Sequence, residues 1–278
     1  MQYKLLIRDI SRFLESGANV ITTCTYQASI EGFCQNLLIS PEESLELIKR
    51  GVKLAQSART MYMQQNPDVM QCPLVAGSVG PYGASQHDGS EYSGNYVEDM
   101  SIKELKDWHR PRVRALLDAR VDLLACESIP ALKEAQALIE LLCEFPHAKA
   151  WVSFTCKDGC HTSHGDSFAA AFNICMQYDQ VAAVGINCTQ PKYISLLLTS
   201  VSDLPPCKPI IVYPNSGEDW QAQKGWSGRG SCIPLDHYVE DWVNLGARWI
   251  GGCCRVTPCD ITAIRQVVDK LRDKRKTA

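Results

Sequence analysis

The chain alternates short, continuously apolar runs with longer segments in which apolar residues recur every three or four positions. Continuous apolar runs are typical of strands that are buried on both faces, and the longer period is typical of amphipathic helices. Seven runs have the length and the flanking turn residues of strands. They span residues 18–25, 73–80, 121–128, 150–156, 181–189, 209–215 and 248–254. Strands that alternate with helices predict right-handed β–α–β units and a parallel sheet.

Helix start signals fall between these runs. Ser40 and Ser101 each begin a capping box, in the segments SPEE and SIKE, and the Thr257–Pro258 pair is typical of the start of a last helix. The chain itself is predicted to begin with a helix over residues 3–16. No segment rich in proline, serine or charge divides the sequence, so we expect a single domain over residues 1–278.

The longest polar segments, residues 81–100 and 216–234, both follow strand candidates. In a (β/α)8 TIM-type barrel the loops after the strands build the active site. A doubly wound open sheet is the competing architecture, but no G-x-G-x-x-G follows an early strand. The pattern therefore predicts an α/β barrel. A complete barrel has eight strands and begins with one, whereas seven strands after a helix predict a barrel that lacks its first β-strand unit.

Composition narrows the class of protein. Hydrophobic residues make up 45% of the 278 residues and charged residues 21%, and the net charge is −3. This charge provides no strong field for nucleic acid or anionic lipid. No apolar run approaches the roughly 20 residues that span a bilayer, and no signal peptide is visible. Together with fourteen cysteines, these features predict a cytoplasmic protein with reduced thiols, no membrane and no nucleic-acid partner.

Three cysteines fall at the carboxyl ends of strand candidates, which converge on one face of a barrel. They are Cys188 in GINCT and the adjacent pair Cys253 and Cys254 in GGCC. Three thiolates around Zn²⁺ leave a fourth position open, as in catalytic rather than structural zinc sites. The two preceding glycines permit backbone angles that could aim both sulfurs at one point. Buried thiols without a metal are the alternative, whereas a bond between adjacent cysteines is strained and reducible.

A three-thiolate zinc site favours one kind of reaction. Its net charge of −1 makes it a poor Lewis acid for hydrolysis, while the metal deprotonates an incoming thiol. Sulfur alkylation is therefore the expected chemistry, and methyl transfer from a sulfonium ion to a thiolate also cancels opposite charges. His161 and His164 have the spacing of metal ligands but lie in a polar loop, so they are weak candidates.

A carboxylate also ends a strand candidate. Glu127 follows the apolar run VDLLAC, a position that favours pairing with a substrate ammonium group; the alternative is a cap on the next helix. Thr23, Ser153 and Asn187 occupy similar positions and are further candidates for substrate binding.

Aromatic residues in the two long loops could contact a cationic methyl donor. Tyr82, Tyr92 and Tyr96 lie in the first loop, and Trp220 and Trp226 lie in the second. Aromatic faces attract cations, so the two tryptophans are candidates for donor binding. The alternative is that these aromatic residues pack only within their own loops.

Several segments resemble motifs of the homocysteine S-methyltransferases. They are GGCCRVTP, VGINCTQP, YPNSGE, ACESIP, TTCTYQAS and AGSVGPYGA. The resemblance runs through nearly the whole chain and implies a (β/α)8 barrel with one Zn²⁺ held by Cys188, Cys253 and Cys254. It implies that homocysteine binds as a thiolate and is methylated to methionine. It further implies that Glu127 holds the substrate amino group and that Thr23 lies near its carboxylate.

The same resemblance bears on the donor and on the start of the chain. YPNSGE and SFTCKDG are more similar to the branch that uses S-methylmethionine or S-adenosylmethionine than to the betaine-using branch. The family opens with a strand that ends in an Asp-Gly-Gly-type turn, which has no counterpart here. An alternative function is therefore a zinc- or thiol-binding barrel with weak or no catalysis, and a third is a metal-free protein whose cysteines fill the core. The choice between homocysteine and a selenol analogue, and the oligomeric state, stay open.

Overall fold

Seven parallel strands form the main sheet of the protein. The computed structural model describes residues 2–204, 207–221 and 225–277. The strands of this sheet are β1 (Val20–Thr22), β2 (Leu74–Val79), β3 (Leu123–Ile129), β4 (Ala150–Phe154), β5 (Val181–Asn187), β6 (Ile210–Tyr213) and β9 (Ala247–Ile250). Their order in the sheet is their order along the chain. The two outer strands, β1 and β9, each have a single neighbour in the sheet within the described residues.

The expected α/β barrel-type fold is confirmed as a curled sheet of seven strands with helices between them. Each predicted run overlaps one strand of the main sheet, although β3 and β9 each extend one residue outside their runs, and every run is longer than its strand. The last run is the clearest case, because β9 ends at Ile250, before both cysteines of the pair. An antiparallel pair, β7 (Asp219–Gln221) with β8 (Gly225–Ser227), was not predicted and lies within the long loop after β6.

Helices follow the strands in the order that the sequence pattern predicts. They are α1 (Gln2–Glu15), α2 (Ile30–Leu37), α3 (Pro41–Gln65), α4 (Ile102–Asp118), α5 (Leu132–Leu142), α6 (Phe168–Met176), α7 (Pro191–Thr199), α8 (Asp236–Asn244) and α9 (Pro258–Thr277). The capping boxes at Ser40 and Ser101 are both present, with side-chain bonds in each direction. The short helix α2 was not predicted. Within the described residues, no helix is both long and apolar enough to cross a bilayer.

The two faces of the sheet carry different cores. Side chains alternate between faces along a strand, so Leu124 and Cys126 join a large core shared with the helices. Leu123 and Ala125, on the same strand, join a small cluster built from the strands alone, together with Trp151. This second face is the inner face of the curl. Residues near the carboxyl ends of the strands whose side chains lie on this inner face therefore point toward one shared space.

Candidate metal and substrate site

Five polar residues continue the inner-face alternation to the carboxyl ends of five strands. They are Ser78 on β2, Glu127 on β3, Ser153 on β4, Asn187 on β5 and Tyr213 on β6. All five are buried. Because uncompensated buried polar groups are costly, their partners show how the site is built.

Glu127 is the charged residue of this group and is only 8% exposed. One carboxylate oxygen accepts a hydrogen bond from the Ser78 hydroxyl, and the other accepts one from Tyr213 Oη at 3.1 Å. Burial raises the pKa of Glu127, and the hydrogen bonds from Ser78 and Tyr213 partly oppose that rise. The site therefore contains a carboxylate that is largely removed from water and held from two sides.

The Tyr213 hydroxyl connects several of these residues. It lies 2.6 Å from Ser153 Oγ and accepts a hydrogen bond from Trp151 Nε1 at 2.8 Å. The structure therefore brings Ser153 to the site, where its hydroxyl is bonded to Tyr213.

Thr23 follows β1 and supports Ser78. Its hydroxyl accepts a hydrogen bond from the Ser78 backbone amide at 2.9 Å and lies 2.7 Å from Thr25 Oγ1. Thr25 Oγ1 donates to the Ser78 carbonyl, so Thr23 must be the donor in the Thr23–Thr25 bond. Because both roles of the Thr23 hydroxyl are used, its position fixes the strand that presents Ser78 to Glu127.

The three predicted cysteines converge. The sulfur of Cys188 lies 3.6 Å from that of Cys254, which lies 4.0 Å from that of Cys253, and all three lie within 4.8 Å of one another. Tetrahedral geometry with Zn–S bonds of about 2.3 Å places sulfurs about 3.8 Å apart. The sulfur positions therefore fit a single zinc ion, and the predicted convergence is confirmed.

Backbone hydrogen bonds hold the cysteines in place after their strands end. Cys188 follows β5 with a φ of 49°, a left-handed conformation that is uncommon for a residue with a side chain and that concentrates at functional sites. Its amide still bonds the Tyr213 carbonyl at 3.3 Å. The Cys253 amide bonds the Pro214 carbonyl, and the Cys254 carbonyl accepts from the Ser216 amide. The last residue of β6 and the segment that follows it therefore support all three cysteines.

The glycines before the cysteine pair serve a purpose different from the expected one. Neither Gly251 nor Gly252 has a positive φ, whereas Arg255 has a φ of 66°. A Cβ atom on Gly252 would lie 2.2 Å from a methyl carbon of Val256. The turn that carries Cys253 and Cys254 is therefore too tight for a side chain at residue 252.

Asn187 joins the cysteine cluster to the carboxylate. Its side-chain oxygen accepts from the Ser128 amide at 2.7 Å, while its amide group donates to Ser128 Oγ at 2.8 Å and approaches Cys253 Sγ at 3.9 Å. Ser128, which follows Glu127, has a left-handed φ of 58°. Asn187 is fully buried and stabilises this conformation, so it fixes Glu127 relative to the thiols.

The three thiols interact strongly with one another. Hydrogen bonds from Cys188 and then Cys253 lower the pKa of Cys254 to about 3. Hydrogen bonds to Cys188 and then Cys254 raise the pKa of Cys253. One negative charge is therefore favourable in the cluster, and further charges need a cation. This electrostatic pattern is the one that a bound divalent metal would satisfy.

The aromatic residues of the first long loop have different environments. Tyr92 Oη lies 3.5 Å from Cys188 Sγ, so this loop reaches the thiol cluster. Tyr96 donates to Glu134, and Tyr82 packs against Trp108 with ring centroids 5.1 Å apart. Tyr82 and Tyr96 therefore pack within the loop and its supporting helices.

The two tryptophans lie opposite each other in the β7–β8 pair. Trp226 is half-buried, and the side chain of Trp220 lies outside the described residues.

Two arginines and a buried carboxylate fix the turn after β6. Glu218 is 2% exposed and forms ion pairs with Arg229 at 3.2 Å and with Arg255 at 3.3 Å. Arg229 also donates to the Arg255 carbonyl at 2.8 Å. Glu218, Ser78 and Tyr213 were not among the predicted site residues, although Glu218 and Tyr213 both lie in the motif YPNSGE.

The histidine candidates lie apart from the three-cysteine cluster. His164 pairs with Glu98 at 2.9 Å. His161 forms a second compact group with Asp158 and Cys160, within the described residues, on a largely exposed turn after β4. The members of this second group bond one another.

Comparison with known proteins agrees with this geometry. A model of the family described as homocysteine S-methyltransferase matches residues 3–268. The chain belongs to the homocysteine S-methyltransferase family. It is therefore an enzyme of the methyltransferase class, and the resemblance drawn from the motifs is confirmed.

Individual relatives are similar over most of their length. The betaine-homocysteine S-methyltransferase of Drosophila melanogaster is 42% identical over 275 residues, which cover 94% of this chain and 82% of the relative. The homocysteine S-methyltransferase of Escherichia coli is 44% identical over 263 residues, which cover 94% and 83%. The crystal structure of the Escherichia coli homocysteine methyltransferase MmuM in its metallated form has a TM-score of 0.84 at 40% identity and covers 95% of this chain and 84% of that one.

Proposed function

We propose that this protein transfers a methyl group from a sulfonium donor, S-methylmethionine or S-adenosylmethionine, to the sulfur of homocysteine, forming methionine. The observation that carries the proposal is the convergence of three cysteine sulfurs, two of which lie 3.6 Å apart, on the face that holds Glu127. Family membership supports homocysteine as the acceptor. The chain is almost equally similar to a relative whose name includes betaine and to one whose name gives no methyl donor. The choice of donor therefore rests on the sequence motifs and is tested by the experiment below.

Cys188, Cys253 and Cys254 would hold the Zn²⁺ ion. Their spacing fits tetrahedral sulfur coordination, and the lowered pKa of Cys254, caused by hydrogen bonds from Cys188 and Cys253, keeps a thiolate available near neutral pH. When bound, zinc supplies the positive charge that keeps the acceptor thiol deprotonated without a general base.

The protein's own residues would bind and orient the acceptor. Glu127 would accept the homocysteine ammonium group, because an ionised carboxylate in a buried position gains most from an opposite charge. Thr23, Ser153 and Asn187 complete the substrate-binding set by fixing that carboxylate through Ser78, Tyr213 and Ser128. The new C–S bond forms on homocysteine as the donor's C–S bond breaks, and its electron pair stays on the donor sulfur as a neutral thioether.

The donor would enter from the side of the long loops. Trp226 and Trp220 are proposed donor contacts, because aromatic faces stabilise a sulfonium cation by about 0.5–2 kcal/mol. Since the site needs free thiols, we further propose that the protein works in the cytoplasm. Because the site draws on residues from β1 to the segment after β9, residues 1–278 would act as one domain.

The test is methionine formation by zinc-loaded protein from homocysteine with S-methylmethionine, S-adenosylmethionine or betaine. Turnover with either sulfonium donor and not with betaine supports the proposal. Turnover with betaine alone contradicts the donor assignment. Zinc binding at one ion per chain without turnover from any donor would show the alternative, a metal-binding barrel without catalysis.

A further inference from the structure

Glu91 carries a carboxylate oxygen with no partner. It lies in the short 3-10 helix Ser90–Tyr92, in the loop after β2. The residue is half-buried, but its Oε2 atom is buried and has no hydrogen-bond partner among the described residues. The other buried carboxylates described above differ, because Glu127, Glu134 and Glu218 each accept at least two side-chain or backbone hydrogen bonds. A buried acceptor without a partner indicates that something else fills that role.

The environment of Glu91 links it to the thiol cluster. The next residue, Tyr92, places its hydroxyl 3.5 Å from Cys188 Sγ. Burial is the main cause that raises the pKa of Glu91, and the negative charges of Asp88 and then Cys254 raise it further. The carboxylate and the thiols therefore share one electrostatic environment.

The loop that carries Glu91 is fixed rather than loosely attached. A Cβ atom on Gly83 would lie 2.7 Å from the Glu91 backbone nitrogen, so the two parts of the loop are in close contact. The Tyr82 amide donates to Glu134 Oε1 at 2.7 Å, and Tyr96 donates to the other oxygen of Glu134. Glu134 also bonds His109 Nε2 at 2.9 Å. The position of Glu91 is thus determined by a buried network.

The charge balance of the site calls for a cation. Glu91, Glu127 and the thiol cluster are all acidic, and no ion pair of the described residues includes Glu91. The side chain that lowers the pKa of Glu91 electrostatically is His87, and it is exposed. A divalent metal held by three thiolates would keep a net charge of −1, and the Glu91 carboxylate adds a further negative charge, so a positive group of the substrates would be favourable beside it.

We propose that Glu91 binds the positively charged sulfonium centre of the methyl donor. This assignment rests on the proposed function and adds to it a donor-recognition residue. A neutral thioether such as methionine makes no comparable ionic contact, so Glu91 would distinguish the methylated donor from the product that it leaves behind.

The proposal predicts a specific kinetic pattern. The donor sulfur changes from +1 to neutral as its methyl group moves to the acceptor, so a carboxylate stabilises the bound donor more than the transition state. Removing that charge should weaken donor binding without slowing the methyl-transfer step. A merely structural role for Glu91 would instead lower kcat and raise both KM values.

The test compares Glu91→Gln with Glu98→Gln, a control on the same loop whose side chain is 72% exposed. For zinc-loaded protein without homocysteine, calorimetry gives the Kd for S-methylmethionine and for methionine. We expect Glu91→Gln to weaken binding of the sulfonium at least about tenfold, with methionine binding unchanged and with the control like wild type. In turnover, the KM for the donor should rise by the same factor while kcat does not fall.

Each outcome decides the proposal. Equal loss of affinity for both ligands, unchanged affinity for the sulfonium, or no binding of the sulfonium by wild type would overturn it. If wild type binds the sulfonium through Glu91 but makes no methionine, the proposed function fails while this assignment stands. Glu91→Asp, which keeps the charge, should retain part of the preference for the sulfonium.

Discussion

Replacing Glu127 with glutamine should weaken homocysteine binding and, at neutral pH, stabilise the fold. The side chain is 8% exposed, and burial raises its pKa more than the hydrogen bonds from Ser78 and Tyr213 lower it. The ionised form is therefore costly in the free protein, and an incoming ammonium group removes that cost. Glutamine keeps the shape and loses the charge.

Two magnitudes follow from this burial. Removing one partner of a buried ion pair costs about 3–5 kcal/mol, which corresponds to a rise in Kd of roughly two to three and a half powers of ten. The second magnitude concerns the free energy of unfolding. A carboxyl group whose pKa is raised on folding contributes its full stabilisation below the pKa of the unfolded chain, 4.5. This stabilisation is lost as the pH rises through the pKa of the folded protein. Each pH unit between the two values costs the wild type about 1.4 kcal/mol relative to the variant.

The assays are calorimetric titration of homocysteine at pH 7.5 and urea unfolding between pH 4 and 8, with Glu98→Gln as the control. The free energy of unfolding of Glu127→Gln minus that of wild type should increase as the pH rises above 4.5. Homocysteine binding within about threefold of wild type would refute the ammonium-binding role. A stability difference that does not change with pH would refute the reasoning on the buried charge.

Three further predictions concern the metal, the donor and the loop. Cys254→Ser should lose zinc on dialysis and lose methyl transfer, because a hydroxyl stays protonated near neutral pH; retention of wild-type zinc and rate would contradict the three-thiolate site. Trp226→Leu and Trp220→Leu should raise the KM for the donor more than that for homocysteine in paired saturation curves, and an equal rise in both would indicate general loop damage. Glu134→Ala should lower the free energy of unfolding by about 2–4 kcal/mol, because it removes the partner of His109 and of a backbone amide. Chemical denaturation measures this free energy, and a loss below about 0.5 kcal/mol would contradict the prediction.

The order of the strands could be predicted because buried parallel strands are continuously apolar. Their ends could not, because the apolar run continues past the last residue in register with the neighbouring strand, as at residues 251–254 after β9. The β7–β8 pair was missed because three-residue strands inside a polar loop leave no periodic signal. The helix α2 was missed for a related reason, since it has only eight residues.

The cysteines and Glu127 could be predicted because topology alone brings the carboxyl ends of parallel strands together. The supporting contacts depend on register between strands, which the sequence does not show: Ser78 and Tyr213 meet Glu127 only once β2, β3 and β6 are placed. The placement of Thr23 near the substrate carboxylate stays a prediction, and its bonds to Ser78 and Thr25 likewise depend on how β1 and β2 are placed. Glu91 lies in an irregular loop and is distinguished only by its unpartnered oxygen.

The central claim is that a zinc ion held by three cysteines serves methyl transfer to homocysteine. The most direct measurement is the rate of methionine formation, with S-methylmethionine as donor, in samples of one preparation loaded with zinc from zero to two ions per chain. We expect the rate to rise in proportion to zinc and to reach a plateau at one ion per chain, while Cys188→Ser stays inactive throughout. A rate that is already maximal without zinc, or that Cys188→Ser retains, would contradict it.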